Sequence, residues 1–276
     1  MKVLIADFDL FSKVGGGQTF YRSIIKKNPQ IQFYYIAEKE PLNQPKPSNA
    51  TGIPYKEQFV INDFKNFFEV TPPKWVERAF VMASNIAVSA QNQQFDMIDV
   101  PDYEQWGIFL RPALQRYGIK FNRIALSMHG KISKTLRLDW FDWGQANIPL
   151  DLQEKMQYKA ADIRYGISKS YLDEWQEDIE ELDSHYYNPL HFFDLPRATQ
   201  CLPSNQPPTL NFIGRTEKRK GPDIFIDLAW WLPETSYSKA QIIGPHSYNY
   251  NNTKSSQSYL QEMITNRQSN LMMCPP

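Results

Sequence analysis

The sequence predicts an α/β protein built from two doubly wound, Rossmann-like domains, the first complete and the second partial. Short apolar runs alternate with segments of helical period along most of the chain, the pattern of a parallel sheet covered by right-handed crossover helices. The alternation breaks at DLPRATQCLPSNQPP, where four prolines and no periodic apolar face read as a linker. It then restarts. The expected organisation is a domain over 1–193, a linker over 194–208 and a smaller domain over 209–276.

Each element has its own signal. Residues 2–9 read as a short buried strand, broken by Val14-Gly15-Gly16-Gly17 before a helix over 18–27. QFYYI at 32–36 is a second strand, and the polar, proline-bearing stretch 41–58 reads as a long loop suited to binding or flexibility rather than to the core. A helix over 74–91, a strand over 96–100, a helix over 104–116 and a strand over 123–128 follow. A helix over 150–161, a strand over 163–167 and a helix over 171–182 complete the first domain. Beyond the linker come strands at 209–213, 240–243 and 270–274, with helices at 222–231 and 256–266. Three strands are fewer than the roughly 4–6 of a common sheet, so the second domain reads as unfinished.

Composition narrows the function. Thirty Lys+Arg balance 30 Asp+Glu, which argues against a nucleic-acid binder with a basic face. With 42% hydrophobic and 14% aromatic residues the chain is not disordered. No apolar run approaches the roughly 18 uncharged residues of a membrane span, and Asp7 and Asp9 interrupt the apolar start. Two cysteines, Cys201 and Cys274, make neither a disulfide framework nor a metal-ligand spacing, which fits a reducing cytoplasm. The aromatic-rich stretches 64–68 and 75–80 leave a peripheral membrane contact open, although their mixed charges favour a core or acceptor-loop helix.

Four strand ends carry candidate chemistry. In Gly214-Arg215-Thr216-Glu217-Lys218-Arg219-Lys220-Gly221-Pro222 a strand runs into a basic turn, and Pro222 suits the first position of a helix. A helix N-terminus flanked by a guanidinium and an ammonium fits a phosphate or diphosphate; the same cluster also reads as a solvated turn. Gly15-Gly16-Gly17 lies at the equivalent place after the first strand, as a close-approach loop or a plain tight turn. As a dinucleotide fingerprint it fails at Phe20. His129-Gly130 ends another strand and is a candidate ligand contact. Asp102, Tyr103 and Glu104 end a fourth, as carboxylates and a ring for a polyhydroxylated ligand, or with Asp102 as a helix N-cap. No nucleophile elbow, zinc-protease helix or Walker loop is present.

Taken in order, Gly15-Gly16-Gly17, His129-Gly130, Ala161-Asp162 with Gly166-Ile167-Ser168, Asn188-Pro189, and Gly214-Arg215-x4-Lys220-Gly221 resemble group 1 glycosyltransferases, family four of the GT-B fold. The resemblance implies a retaining transfer of a sugar from a nucleotide-diphosphate sugar to an acceptor hydroxyl, without a metal or other cofactor. It implies that Arg215, Lys220 and Gly221 hold the donor diphosphate, that the Gly16 and Gly17 backbone approaches the phosphates or the sugar, and that His129 contacts the donor sugar. Arg215, Lys220 and His129 are then the catalytic candidates, and Asp102, Tyr103 and Glu104 the acceptor candidates, on a glycan or other hydroxyl. The family's Glu-x7-Glu pair has no counterpart after the basic turn, where the acidic residues are Glu217, Asp223, Asp227, Glu234 and Glu262. The expectation is therefore a truncated enzyme with little or no activity. The alternatives are a non-catalytic carbohydrate- or partner-binding protein of the same descent, and a nicotinamide-dependent oxidoreductase, which Phe20 opposes.

Overall fold

The computed structural model describes residues 1–13, 15–41, 43, 45–58, 73–139, 148–176, 184–186, 207–246, 255–267 and 271–274. Of the expected features, Asn188-Pro189, the stretch 64–68 and most of the 194–208 segment lie outside the described residues. The chain divides into two compact units, Met1–Lys131 with Pro149–Pro196, and Ile132–Ile148 with Arg197–Pro276.

Among the described residues the first unit is built on seven parallel strands in the order β3-β2-β1-β4-β5-β6-β7. They are β1 (Lys2–Phe8), β2 (Gln32–Ala37), β3 (Ala50–Pro54), β4 (Gln94–Pro101), β5 (Lys120–Met128), β6 (Ile163–Gly166) and β7 (Ser184–Tyr186). The helices are α1 (Gly16–Lys27), α2 (Lys74–Ser89), α3 (Gly107–Arg116), α5 (Ile148–Ala160) and α6 (Lys169–Gln176). β1 is central and apolar on both sides, as a strand in a doubly covered sheet must be. Leu4, Ala6 and Phe8 join Ala83, Leu110, Tyr158 and Trp175 of α2, α3, α5 and α6 on one face. Val3 and Ile5 join Phe20, Tyr21 and Ile25 of α1 on the other.

Two strands and one helix escape the sequence reading. β3 lies inside the expected loop 41–58, with Gly52 and Pro54 within it. Among the described residues it is an edge strand that pairs with β2 alone, and edge position is where such residues are tolerated. β7 has three residues and α4 (Ile132–Leu138) seven, both too short to show a period. The segment containing α4 groups with the second unit, not with 1–193. Its following residue, Asp139, accepts from the Arg219 backbone N–H at 2.9 Å and from Arg219 Nε at 3.2 Å.

Buried polar groups lock the first unit's connections. Asp9 sits at φ 53°, a left-handed conformation that aspartate tolerates. Its Oδ1 accepts from the backbone N–H groups of Glu38, Lys39 and Glu40 at 2.8, 3.0 and 3.0 Å. Glu40 reciprocates, accepting from Phe11 and Ser12 at 2.8 and 3.1 Å. The loops after β1 and β2 are thereby tied to one another. Trp106, at the start of α3, donates from Nε1 to the Ala6 carbonyl at 3.0 Å in the core. Trp106→Phe strands that carbonyl and is expected to cost about 1–3 kcal/mol, read as a lower urea midpoint at unchanged slope. Among the described residues no helix is long and apolar enough to cross a membrane.

Among the described residues the second unit has three parallel strands in the order β10-β9-β8, where β8 is Thr209–Ile213, β9 Lys239–Ile243 and β10 Met272–Cys274. α7 (Pro222–Trp231) and α8 (Ser256–Asn266) pack Ile226, Ala229, Leu260 and Ile264 on Ala240 and Ile242. The boundaries of β8, α7 and α8 agree with the sequence reading. Pro222 takes the first turn of α7, and Ser255 caps α8 by accepting from the Ser258 N–H at 3.2 Å.

Candidate functional site

In the first unit the strand order reverses at β1 and β4, the place where open α/β sheets bind ligands. β1 delivers Asp7 there, α1 delivers Gln18, and a 3-10 turn at Asp102–Glu104 delivers Tyr103. Asp7 Oδ2 accepts from Tyr103 OH at 2.7 Å and from Gln18 Nε2 at 3.0 Å, and Oδ1 from the Phe8 N–H at 2.7 Å. Burial still pushes the Asp7 carboxyl above its ordinary value, outweighing these bonds and Lys13. The sequence reading treated Asp7 only as a charge within the apolar start. A charge near the end of a buried strand must find partners, and that was the available signal.

The glycines divide by environment. α1 starts at Gly16, two residues before the expected start, with no side-chain cap at Gly15. A Cβ at Gly16 meets nothing within 4 Å, whereas one at Gly17 lies 2.6 Å from Tyr103 Oη and 2.7 Å from its ring. Gly16 therefore presents open backbone, and Gly17 makes room for Tyr103.

Asp102 is not the N-cap that its position suggests: it is 5% exposed, and its side chain caps neither the 3-10 turn nor α3. Its Oδ2 accepts from the N–H groups of His129 and Gly130 at 2.9 and 3.1 Å and from Tyr171 OH at 3.0 Å. Asp102 thus holds the loop after β5 that carries His129. Burial, against those three bonds, pushes its carboxyl up to about 7. Oδ1 has no partner among the described residues, which leaves an oxygen free to carry the proton. Tyr103 is committed to Asp7, while Glu104 is partly exposed and faces Arg78 at 3.5 Å.

His129 packs edge-on against Phe20 at 5.1 Å between ring centroids, and its ring lies 5.6 Å from that of Tyr103. Burial lowers it to about 4, so the imidazole is neutral at pH 7. Its Nε2 is buried with no partner among the described residues.

In the second unit the basic turn joins β8 to α7. Gly221, at φ 72°, turns the chain from the 3-10 turn Lys218–Lys220 into the helix. The N-cap residue of α7 is Gly221, which has no side chain to cap the helix. The four cations are not equivalent. Lys218 pairs with Asp223, and Arg219 with Asp139 and Glu217. Arg215 meets Glu217 at 3.0 Å yet stays 69% exposed. Lys220 is exposed and has no ion pair among the described residues. Beneath the turn, Thr216 is fully buried, its hydroxyl 2.7 Å from Ser256 Oγ at the start of α8. The ends of β8 and β9 meet at Gly214 and Gly244, where a Cβ on Gly244 lies 2.0 Å from the Gly214 carbonyl oxygen.

No protein-family model and no curated protein matches the sequence. Solved structures do. The chain superposes with a TM-score of 0.65 on sucrose-phosphate synthase from Thermosynechococcus elongatus, at 12% identity, over 99% of this chain and 69% of that one. It superposes at 0.57 on the lipopolysaccharide outer core galactosyltransferase WaaB, at 15% identity, over 100% of this chain and 68% of that one. The fold class is GT-B. UGT2 of Phytolacca americana matches at 0.50 and 11% identity, over 99% and 72%. At these identities the likeness concerns the GT-B fold itself, and function is argued from the residues.

Proposed function

We propose that this chain binds a nucleotide-diphosphate sugar through the basic turn of its second unit and belongs to a retaining glycosyltransferase acting on a hydroxyl acceptor. The observation that carries this is the sorting of the turn's cations. Lys218 and Arg219 are held by Asp223, Asp139 and Glu217, while Arg215, which shares Glu217 with Arg219, and Lys220, which has no ion pair among the described residues, stay exposed near the N-terminus of α7. Two cations and free N–H groups at the carboxyl end of a parallel sheet suit a diphosphate.

The chemistry follows from charge. As the bond between sugar and diphosphate breaks, negative charge grows on the leaving phosphate, and Arg215 and Lys220 stabilise it without a metal. The leaving phosphate takes the acceptor proton on the same face, so no protein base is needed. The open backbone at Gly16 is the approach for phosphate or sugar in the first unit, and a neutral His129 offers a hydrogen bond rather than a charge. Residues 209–276 hold no Glu-x7-Glu pair, so slow or absent turnover is part of the proposal and binding is its readout.

Titration calorimetry with UDP, GDP and ADP tests it. One nucleotide is expected to bind, and Arg215→Ala and Lys220→Ala each to weaken it by roughly 10–100-fold, the effect of losing a charged contact worth about 1.5–3 kcal/mol. Equal affinity in both variants would sink the assignment. Glycan binding without any nucleotide binding would favour the non-catalytic reading.

A further inference from the structure

Among the described residues, the two faces of the seven-stranded sheet are covered unequally. Helices α2, α3, α5 and α6 contribute to the core on one face, and α1 to that on the other. Beside α1 the second face is hollow. A cavity of about 310 Å³ lies there, floored by Val3, Ile5, Phe33 and Met97 and walled by Ile24. That volume is at the lower end of the roughly 300–1,000 Å³ of small-molecule sites.

One carboxylate opens into this apolar space. Asp99 of β4 lines the cavity together with Tyr21 and Ser127. Its Oδ1 accepts from Tyr21 OH at 2.9 Å, and the Ser127 hydroxyl also bonds the carboxyl. Two neutral donors leave part of a carboxylate's acceptor capacity unused. No lysine or arginine is among the described lining residues. Burial pushes the Asp99 carboxyl up to about 6, so at pH 7.5 it is ionised in poorly solvating surroundings.

We propose that this groove is a binding site for a small apolar amine, its hydrocarbon or aromatic body lying on the sheet floor against Ile24 and its ammonium donating to Asp99. An amine is favoured over an alcohol because a charge-assisted bond to a desolvated carboxylate is stronger than a neutral one. It is favoured over an acid because like charge would be repelled. The site lies within the first unit and does not depend on the sugar-transfer reading.

The test is titration calorimetry of the full 276-residue chain at pH 7.5 with 2-phenylethylamine, 2-phenylethanol and 3-phenylpropanoate. Saturable one-to-one binding of the amine is expected, with the alcohol at least tenfold weaker and the acid not bound. Asp99→Asn should bring the amine to the level of the alcohol. Ile24→Trp, which leaves Asp99 in place and fills the groove, should weaken both at least tenfold and serves if Asp99→Asn does not fold. Absence of saturable amine binding, equal binding of amine and alcohol, or unchanged amine affinity in either folded variant overturns the proposal.

Discussion

Gly244→Ala is expected to unfold the second unit while the first stays folded. The added Cβ would lie 2.0 Å from the Gly214 carbonyl oxygen and 2.7 Å from its carbon, and both contacts are backbone that no rotamer change relieves. Gly244 also has φ 147°, where a side chain is strained in any surroundings. Relief requires the ends of β8 and β9 to part, yet the Gly214 N–H donates to Ile243 at 3.0 Å and the Thr216 N–H to Pro245 at 3.1 Å. Separation would break these bonds and uncover the Thr216–Ser256 pair. A cost above about 4 kcal/mol is expected, among the largest for a single methyl. Hydrogen exchange should show protection lost in β8, β9 and α8 and retained in β1, β4 and β5. Gly16→Ala, with nothing within 4 Å of the new methyl, is the control and should change stability little. Equal protection of wild type and Gly244→Ala would show that the two strand ends are not locked together.

The basic turn shows which parts of a site can be read from sequence. Its strand and its helix are legible because the cues are local: Gly214 ends the strand, and Gly221-Pro222 starts the helix. What neutralises Lys218 and Arg219 is only half local. Asp223 is five residues from Lys218, but Asp139 is 80 residues from Arg219 and cannot be placed without the fold. Asp102 was misread for the same reason. A carboxylate beside an expected helix suggests a cap, while its partners here are 27, 28 and 69 residues away. Gly17 reads as close approach to a ligand, and the structure has it approached by Tyr103. Edge strand β3 has no alternation of its own, and only its pairing with β2 defines it. Local backbone signals therefore marked the strand ends correctly, and long-range polar pairing decided what each side chain does there.

Asp102→Asn is expected to flatten the pH dependence of the first unit's stability between pH 4 and pH 7. The Asp102 carboxyl rises from 3.8 to about 7 on folding, chiefly by desolvation. A group raised in this way contributes stability that is fully present below its unfolded value and is lost as pH rises through the folded value. Each unit is worth about 1.4 kcal/mol, so the loss across this window is on the order of 3–4 kcal/mol. Asp99, raised to about 6, acts in the same direction. His129 opposes them. Lowered from 6.5 to about 4, it contributes stability that is present above its unfolded value and is lost as pH falls through the folded one. The wild-type profile is therefore a compromise, and the difference between wild type and Asp102→Asn isolates the carboxyl. Asparagine keeps an oxygen for the N–H groups of His129 and Gly130 and cannot ionise. Urea midpoints should thus converge near pH 4, where the wild-type carboxyl is neutral like the amide, with Asp102→Asn the more stable at pH 7 to 8. Parallel profiles would mean that Asp102 stays ionised throughout, bound by its three donors strongly enough to overcome burial.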